Sequence, residues 1–149
     1  MGIYARILVP LDGTDVDDAV LDHVAGLAEA CGSEVVLLRV AHYHTRDERA
    51  HEEEEARHCL ASAEAKLRGK NVVVRTVIAG GEPADVIREQ AAAIDADLIA
   101  MATHGHGTLS RVFLGSVADK LRHSSDVPLL LIRARTGGRR PGGGGGGDD

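Results

Sequence analysis

Residues 7–32 read ILVPLDGTDVDDAVLDHVAGLAEACG. Ile7 to Leu11 is a short apolar run closed by the turn residues Asp12, Gly13 and Thr14, which is how a buried strand reads. Thr14 with Asp17 three residues later has the form of a capping box, so a helix is expected to start there. Val16, Val20, Val24, Leu27 and Cys31 then recur at helical spacing, and Gly32 stands where a helix commonly ends in a left-handed residue. The stretch is therefore one strand–turn–helix unit.

The rest of the chain repeats the pattern. Val35 to Val40 predicts a second strand, apolar except for Arg39, as expected where helices cover both faces of a sheet. After a charged stretch from Thr45 to Glu55, the side chains of Ala56, Leu60, Ala63 and Leu67 line a second helix, whose early part the pattern leaves open. Val72 to Val77 is the third strand, and Pro83 suits the first turn of a third helix carrying Ile87, Ala91 and Ile94. Asp97 to Ala102, Gly115 to His123 and Leu129 to Ile132 predict the fourth strand, fourth helix and fifth strand. Every link is too long for a hairpin, so right-handed crossovers are expected. The fold class that follows is α/β: an open five-stranded parallel sheet with helices on both faces, Rossmann-like.

Composition narrows the function. The 149 residues suit one domain, expected over 1–135, while residues 136–149, TGGRRPGGGGGGDD, lack the apolar side chains that ordering requires and predict a disordered tail. No run of about 18 apolar residues and no signal-type start is present, so a cytoplasmic chain without membrane contact is expected. A net charge of −6 and only Tyr4, Tyr43 and Phe113 as aromatics argue against nucleic acid. Cys31 and Cys59 form no Cys-x-x-Cys pair and read as small core residues.

The segment 101–117, MATHGHGTLSRVFLGSV, joins the fourth strand to the fourth helix. Ligands of open α/β sheets bind at the carboxyl ends of the strands, where the strand order reverses. Gly105 and Gly107 allow close approach of main-chain amides to an anion, and Gly115-Ser116 is expected to open a helix whose free amides attract phosphate. His106 offers a further donor in the same loop. The segment holds no Gly-x-x-x-x-Gly-Lys-Ser/Thr, and Ser110 breaks the dinucleotide fingerprint. Asp12 at a strand end is equally a turn former or helix cap, the glycines serve turns as well as ligands, and Ser116 is a good cap in any case.

Gly105, nine intervening residues, Gly115 and Ser116 resemble the nucleotide loop Gly-x2-Gly-x9-Gly-Ser/Thr of the universal stress protein family, with Ala102 standing at the first glycine. The opening Ile7 to Gly13 is similar to that family's first strand and acidic residue, and the order of elements agrees from about residue 4 to 133. The resemblance implies an adenine nucleotide, ATP with or without magnesium ahead of AMP. It implies that Asp12 meets the ribose, and that Pro10, Leu11 and the backbone of Val40 border the adenine. Ala102, Thr103, Gly105 and His106 would pass the ribose and phosphates, while Gly115, Ser116 and Val117 close on the phosphates. One methyl at Ala102 is expected to weaken binding, by about 1 kcal/mol or less, without abolishing it. The resemblance also implies a homodimer through the last strand, with Val127, Leu129 and Leu131 as its apolar edge.

No catalytic constellation is legible: Gly115-Ser116 lacks the Gly-x-Ser-x-Gly context and no general base can be assigned, so slow ATP hydrolysis is the most that is expected. His51, Glu55 and His58 share a helix face near His42 and His44, but the adjoining Glu52–Glu55 run reads as a solvated surface rather than a metal site. Two rival readings remain: a dimeric interaction module of the same fold that binds no nucleotide, and an ATP pyrophosphatase. The second lacks its Ser-Gly-Gly-x-Asp-Ser loop here.

Overall fold

The structure is a computed structural model that describes residues 3–43, 45–104 and 111–134. The tail expected over 136–149 lies outside the described residues.

Strands and helices alternate as β1 (Arg6–Pro10), α1 (Val16–Cys31), β2 (Glu34–Ala41), α2 (Arg46–Arg68), β3 (Val73–Gly80), α3 (Pro83–Ala93), β4 (Leu98–His104), α4 (Arg111–Ser124) and β5 (Leu129–Ala134). They build one five-stranded sheet in the order β3-β2-β1-β4-β5, with every pair parallel. Helices α1 and α2 touch each other and cover one face; α3 and α4 touch each other and cover the opposite one. Covered on both sides, the inner strands are apolar along their length: Ile7, Leu8, Val9 and Val35 to Leu38 are fully buried. Each helix adds one stripe to this core, such as Val20, Leu21, Val24 and Ala28 of α1. The α2 stripe is confined to Ala56, Leu60, Ala63 and Leu67. Burying one such large aliphatic side chain is worth about 1.5 to 3 kcal/mol, which is why these stripes decide where the helices lie.

Among the helix starts, two differ most from the sequence expectation. The charged start of α2 is helical from Arg46, because the Thr45 hydroxyl accepts the Glu48 amide at 3.1 Å and so caps the helix. Helix α4 begins at Arg111, one turn before the expected Gly115. Nothing in Arg111-Val112-Phe113-Leu114 breaks a helix, and an internal glycine costs it only about 1 kcal/mol.

The amino ends of the strands are tied together by polar groups. Glu34 bridges Arg6 Nε at 2.9 Å and Arg75 Nε at 2.7 Å. Arg6 also donates to the Ile94 carbonyl at 3.0 Å. Partial burial pushes the Glu34 carboxyl up, but the hydrogen bonds from Arg6 and Arg75 outweigh it and hold the group below its ordinary range. Gly32, at φ +69°, closes α1 in the left-handed conformation, and the Ser33 hydroxyl then donates to the Tyr4 carbonyl at 2.6 Å.

Candidate functional site

The chain runs outward from β1 through β2 to β3, then returns past β1 to form β4 and β5. The carboxyl ends of β1 and β4 are therefore neighbours whose following segments lead to opposite faces, which is the switch point where such sheets hold ligands. The backbone opens a crevice there. β1 pairs with β4 only at Ile7–Leu98 and Leu8–Ile99, whereas its register with β2 continues through Val9–Leu37 and Pro10–Leu38. Leu11 N–H extends that ladder to the Leu38 carbonyl at 2.9 Å. Pro10 has no N–H to offer, so the strand end leans on β2 and parts from β4.

Pro10, Leu11 and Asp12 lie buried at the lip of this crevice on the β1 side. Ala102 and Thr103 lie on the β4 side, in register with Ile132 and Arg133 of β5. Val40 is buried near the carboxyl end of β2. Leu11, Val40, Ala102 and Val117 all belong to the hydrophobic core. Gly105, His106 and Gly107 lie outside the described residues. Gly115 and Ser116 do not open α4 as expected; they stand in its second turn, with Ser116 exposed. The free amides of this helix start accordingly belong to the turn from Arg111 to Leu114.

The β1–α1 turn is built differently from the capping box read in the sequence. Asp15 occupies the N-cap position of α1 without a side-chain cap. The Asp17 carboxylate instead reaches back over the turn. Its Oδ1 accepts the Asp12 amide and its Oδ2 the Gly13 amide, each at 2.8 Å. The Thr14 hydroxyl donates to Asp12 Oδ2 at 2.7 Å and sets that carboxylate in turn. Gly13 has φ +85°, a conformation that asks for glycine, and a Cβ there would stand 2.7 Å from Arg39 Nη2, the movable tip of a long side chain.

Beneath the turn sits a charged group that the sequence reading passed over. Arg39 enters from β2, donates weakly to the Val40 carbonyl at 3.4 Å, and holds its buried Nε without a hydrogen-bond partner. A lone arginine in an otherwise apolar strand was the available signal. Burial pushes the Asp17 carboxyl up to about 6; the hydrogen bonds from Asp12 and Gly13 and the charge of Arg39 oppose that rise, while the Asp12 charge adds to it. Burial also raises the Cys59 thiol, with Asp17 contributing and Arg39 opposing. Neither cysteine is fully buried.

Elsewhere, a cleft of about 420 Å³ between α3 and α4 is lined by charged residues including Glu82, Arg88 and Lys120, away from the crevice. His51 faces Glu55 at 3.6 Å and His58 faces Glu54 at 3.3 Å, and among the described residues no three metal-type ligands come together. No helix among the described residues is long and apolar enough to cross a membrane.

Comparison with known proteins supplies the family. The chain belongs to the universal stress protein family, whose model matches residues 3–133. It is 29% identical to the universal stress protein YxiE of Bacillus subtilis, over 88% of this chain and 100% of that one. It is likewise 29% identical to the universal stress protein MJ0531 of Methanocaldococcus jannaschii, over 88% of this chain and 83% of that one. Among solved structures, the universal stress protein of Archaeoglobus fulgidus in complex with dAMP superposes with a TM-score of 0.70 at 25% identity, covering 87% of this chain and 98% of that chain.

Proposed function

We propose that this chain binds an adenine nucleotide, ATP foremost, in the crevice between the carboxyl ends of β1 and β4, and acts as a cytoplasmic stress-response or signalling switch. One observation carries the reading: the switch-point crevice, with Asp12 held at its lip, in a fold whose Archaeoglobus relative was solved with dAMP. In this reading Asp12 meets the ribose, and Pro10, Leu11 and the Val40 backbone border the base. The segment from Ala102 to His106 passes the sugar and phosphates, with Gly115, Ser116 and Val117 beyond it. The chain is proposed as one binding domain over residues 1–135. Ala102 is compatible with this arrangement because it is 2% exposed and part of the core, so its methyl adds little to the open crevice. Binding rather than turnover is the output, and two copies associate along β5, where Leu131 is exposed at the sheet edge.

The test is to denature purified protein, identify released nucleotide by mass spectrometry, and titrate nucleotide-free protein with ATP and magnesium in a calorimeter. Bound or titratable ATP, weakened about tenfold or more in Asp12→Asn or Ser116→Ala, is the expected result. A folded protein that releases no nucleotide and gives no heat overturns it. That result favours the second reading, a nucleotide-free dimeric interaction module, for which Ala102 in place of the motif glycine is the supporting feature.

A further inference from the structure

The two amides that shape the turn beside the proposed ribose position are both held by a single carboxylate, and that carboxylate is buried. Asp17 is 7% exposed, and each of its oxygens accepts one main-chain N–H, from Asp12 and from Gly13. An ionised carboxylate presents a full acceptor on both oxygens, whereas the neutral acid turns one of them into a hydroxyl, a donor and a poorer acceptor. A proton added to either one weakens that oxygen's bond to its N–H and brings a further donor to a place where both partners are already donors. Protonation therefore weakens at least one of the two bonds of the clamp.

The groups around Asp17 fix the direction of the effect. Asp12 faces it from the turn, Arg39 from β2 and Cys59 from α2; Asp18 on its own helix is paired with Lys66 of α2 at the rim of the small cleft beside the turn. The buried surroundings and the like charge of Asp12 favour the neutral acid, while the two amides and Arg39 favour the anion. Near neutral pH the anion is the majority form, and mild acid reverses this. On protonation Arg39 is left with Asp12 as its acidic neighbour, and the two tethers of the turn are weakened.

We propose that Asp17 is a positioning residue: its carboxylate pins the β1–α1 turn in the shape that presents Asp12 to the nucleotide, and its protonation releases the turn and weakens binding. The inference rests on the nucleotide reading above and assigns that site a dependence on pH. Asp17 does not touch the ligand in this scheme. It acts through the main chain of Asp12 and Gly13.

The test has two parts. In ligand-free protein, NMR follows the Asp17 side-chain carbon and the amides of Asp12 and Gly13 from about pH 7.5 to about pH 4.5; all three signals are expected to titrate together, with a midpoint of about 6. Calorimetric titration with ATP over the same range is expected to show affinity falling about tenfold on acidification with that midpoint. The Asp17→Asn and Asp17→Ser variants separate this effect from protonation of the ATP phosphates, which acts on all three proteins alike. Each variant should bind weakly at every pH and lose the component centred on Asp17. Amides that ignore the Asp17 titration, or a variant that keeps the wild-type pH profile, overturn the proposal. Amides that titrate with Asp17 in a protein that binds no nucleotide at any pH would sink the nucleotide reading and leave the turn switch standing.

Discussion

Strand β1 is gripped at both ends by an aspartate that takes two consecutive main-chain amides. At the amino end Asp97 accepts from Ala5 at 2.9 Å and Arg6 at 3.0 Å; at the carboxyl end Asp17 accepts from Asp12 and Gly13. The hydrogen-bond pattern is the same, but the surroundings are not. Asp97 is half-buried, near the guanidinium-rich cluster of Arg6, Glu34 and Arg75. Asp17 is buried with a second carboxylate beside it. The Asp97 pair is a staple at the amino end; at the carboxyl end burial raises the Asp17 carboxyl and makes its pair of bonds a latch that a proton can open.

The sharpest way to break this comparison is to titrate stability. The Asp17 carboxyl is raised from its ordinary 3.8 to about 6, so the folded chain takes up this proton before the unfolded chain does. Its contribution to stability is fully present below 3.8 and is lost as pH rises through about 6, an effect on the order of 3 kcal/mol. Urea unfolding of the wild type and Asp17→Asn across that window should show the wild type gaining on the variant as pH falls. Parallel curves would mean that Asp17 is no latch. The contribution of Asp17 to global stability thus rises under mild acid while the turn loosens, so the stability difference between wild type and variant and the order of the turn should respond to pH in opposite directions.

A smaller effect is expected at the staple. Asp97→Ala should cost about 2 kcal/mol in chemical denaturation, since one of the two amides it strands is partly buried, and should leave nucleotide affinity within about twofold of wild type. A large loss of affinity in that variant would show that the two ends of β1 are not independent. Smaller still, Gly13→Ala should lower stability by about 1 kcal/mol, the cost of placing an L residue at φ +85°; the nearby Arg39 tip can swing aside. Its affinity for ATP should fall by more than this stability loss suggests. An alanine variant with unchanged affinity would detach the turn from the site.

The fold was legible because its signals are local: apolar runs, helical stripes and turn residues each state their own element, and the all-parallel sheet follows from the length of the links. Thr45 and Glu48 carried a capping signal too, yet the charge that follows it masked the start of α2. The site was legible only in part. Asp12 announced itself by standing at a strand end, but an aspartate three residues after Thr14 looks the same whether it completes a capping box or reaches back to the turn, and sequence spacing cannot tell these apart. Arg39 carries its meaning only once β2 lies beside β1. The start of α4 was misplaced because the glycine pair drew the boundary to itself, while the preceding Val112-Phe113-Leu114 had every property of helix.

The outer strands carry a consequence for assembly. β3 and β5 each have one row of main-chain groups facing away from the sheet, and Val73 on β3 is 66% exposed. A β5-to-β5 contact between two copies obeys a two-fold axis and closes on itself. A β3-to-β5 contact would be head-to-tail and would add strands to a growing ribbon unless the rotation between copies closed a ring. Association confined to β5 therefore requires that β3 refuse partners.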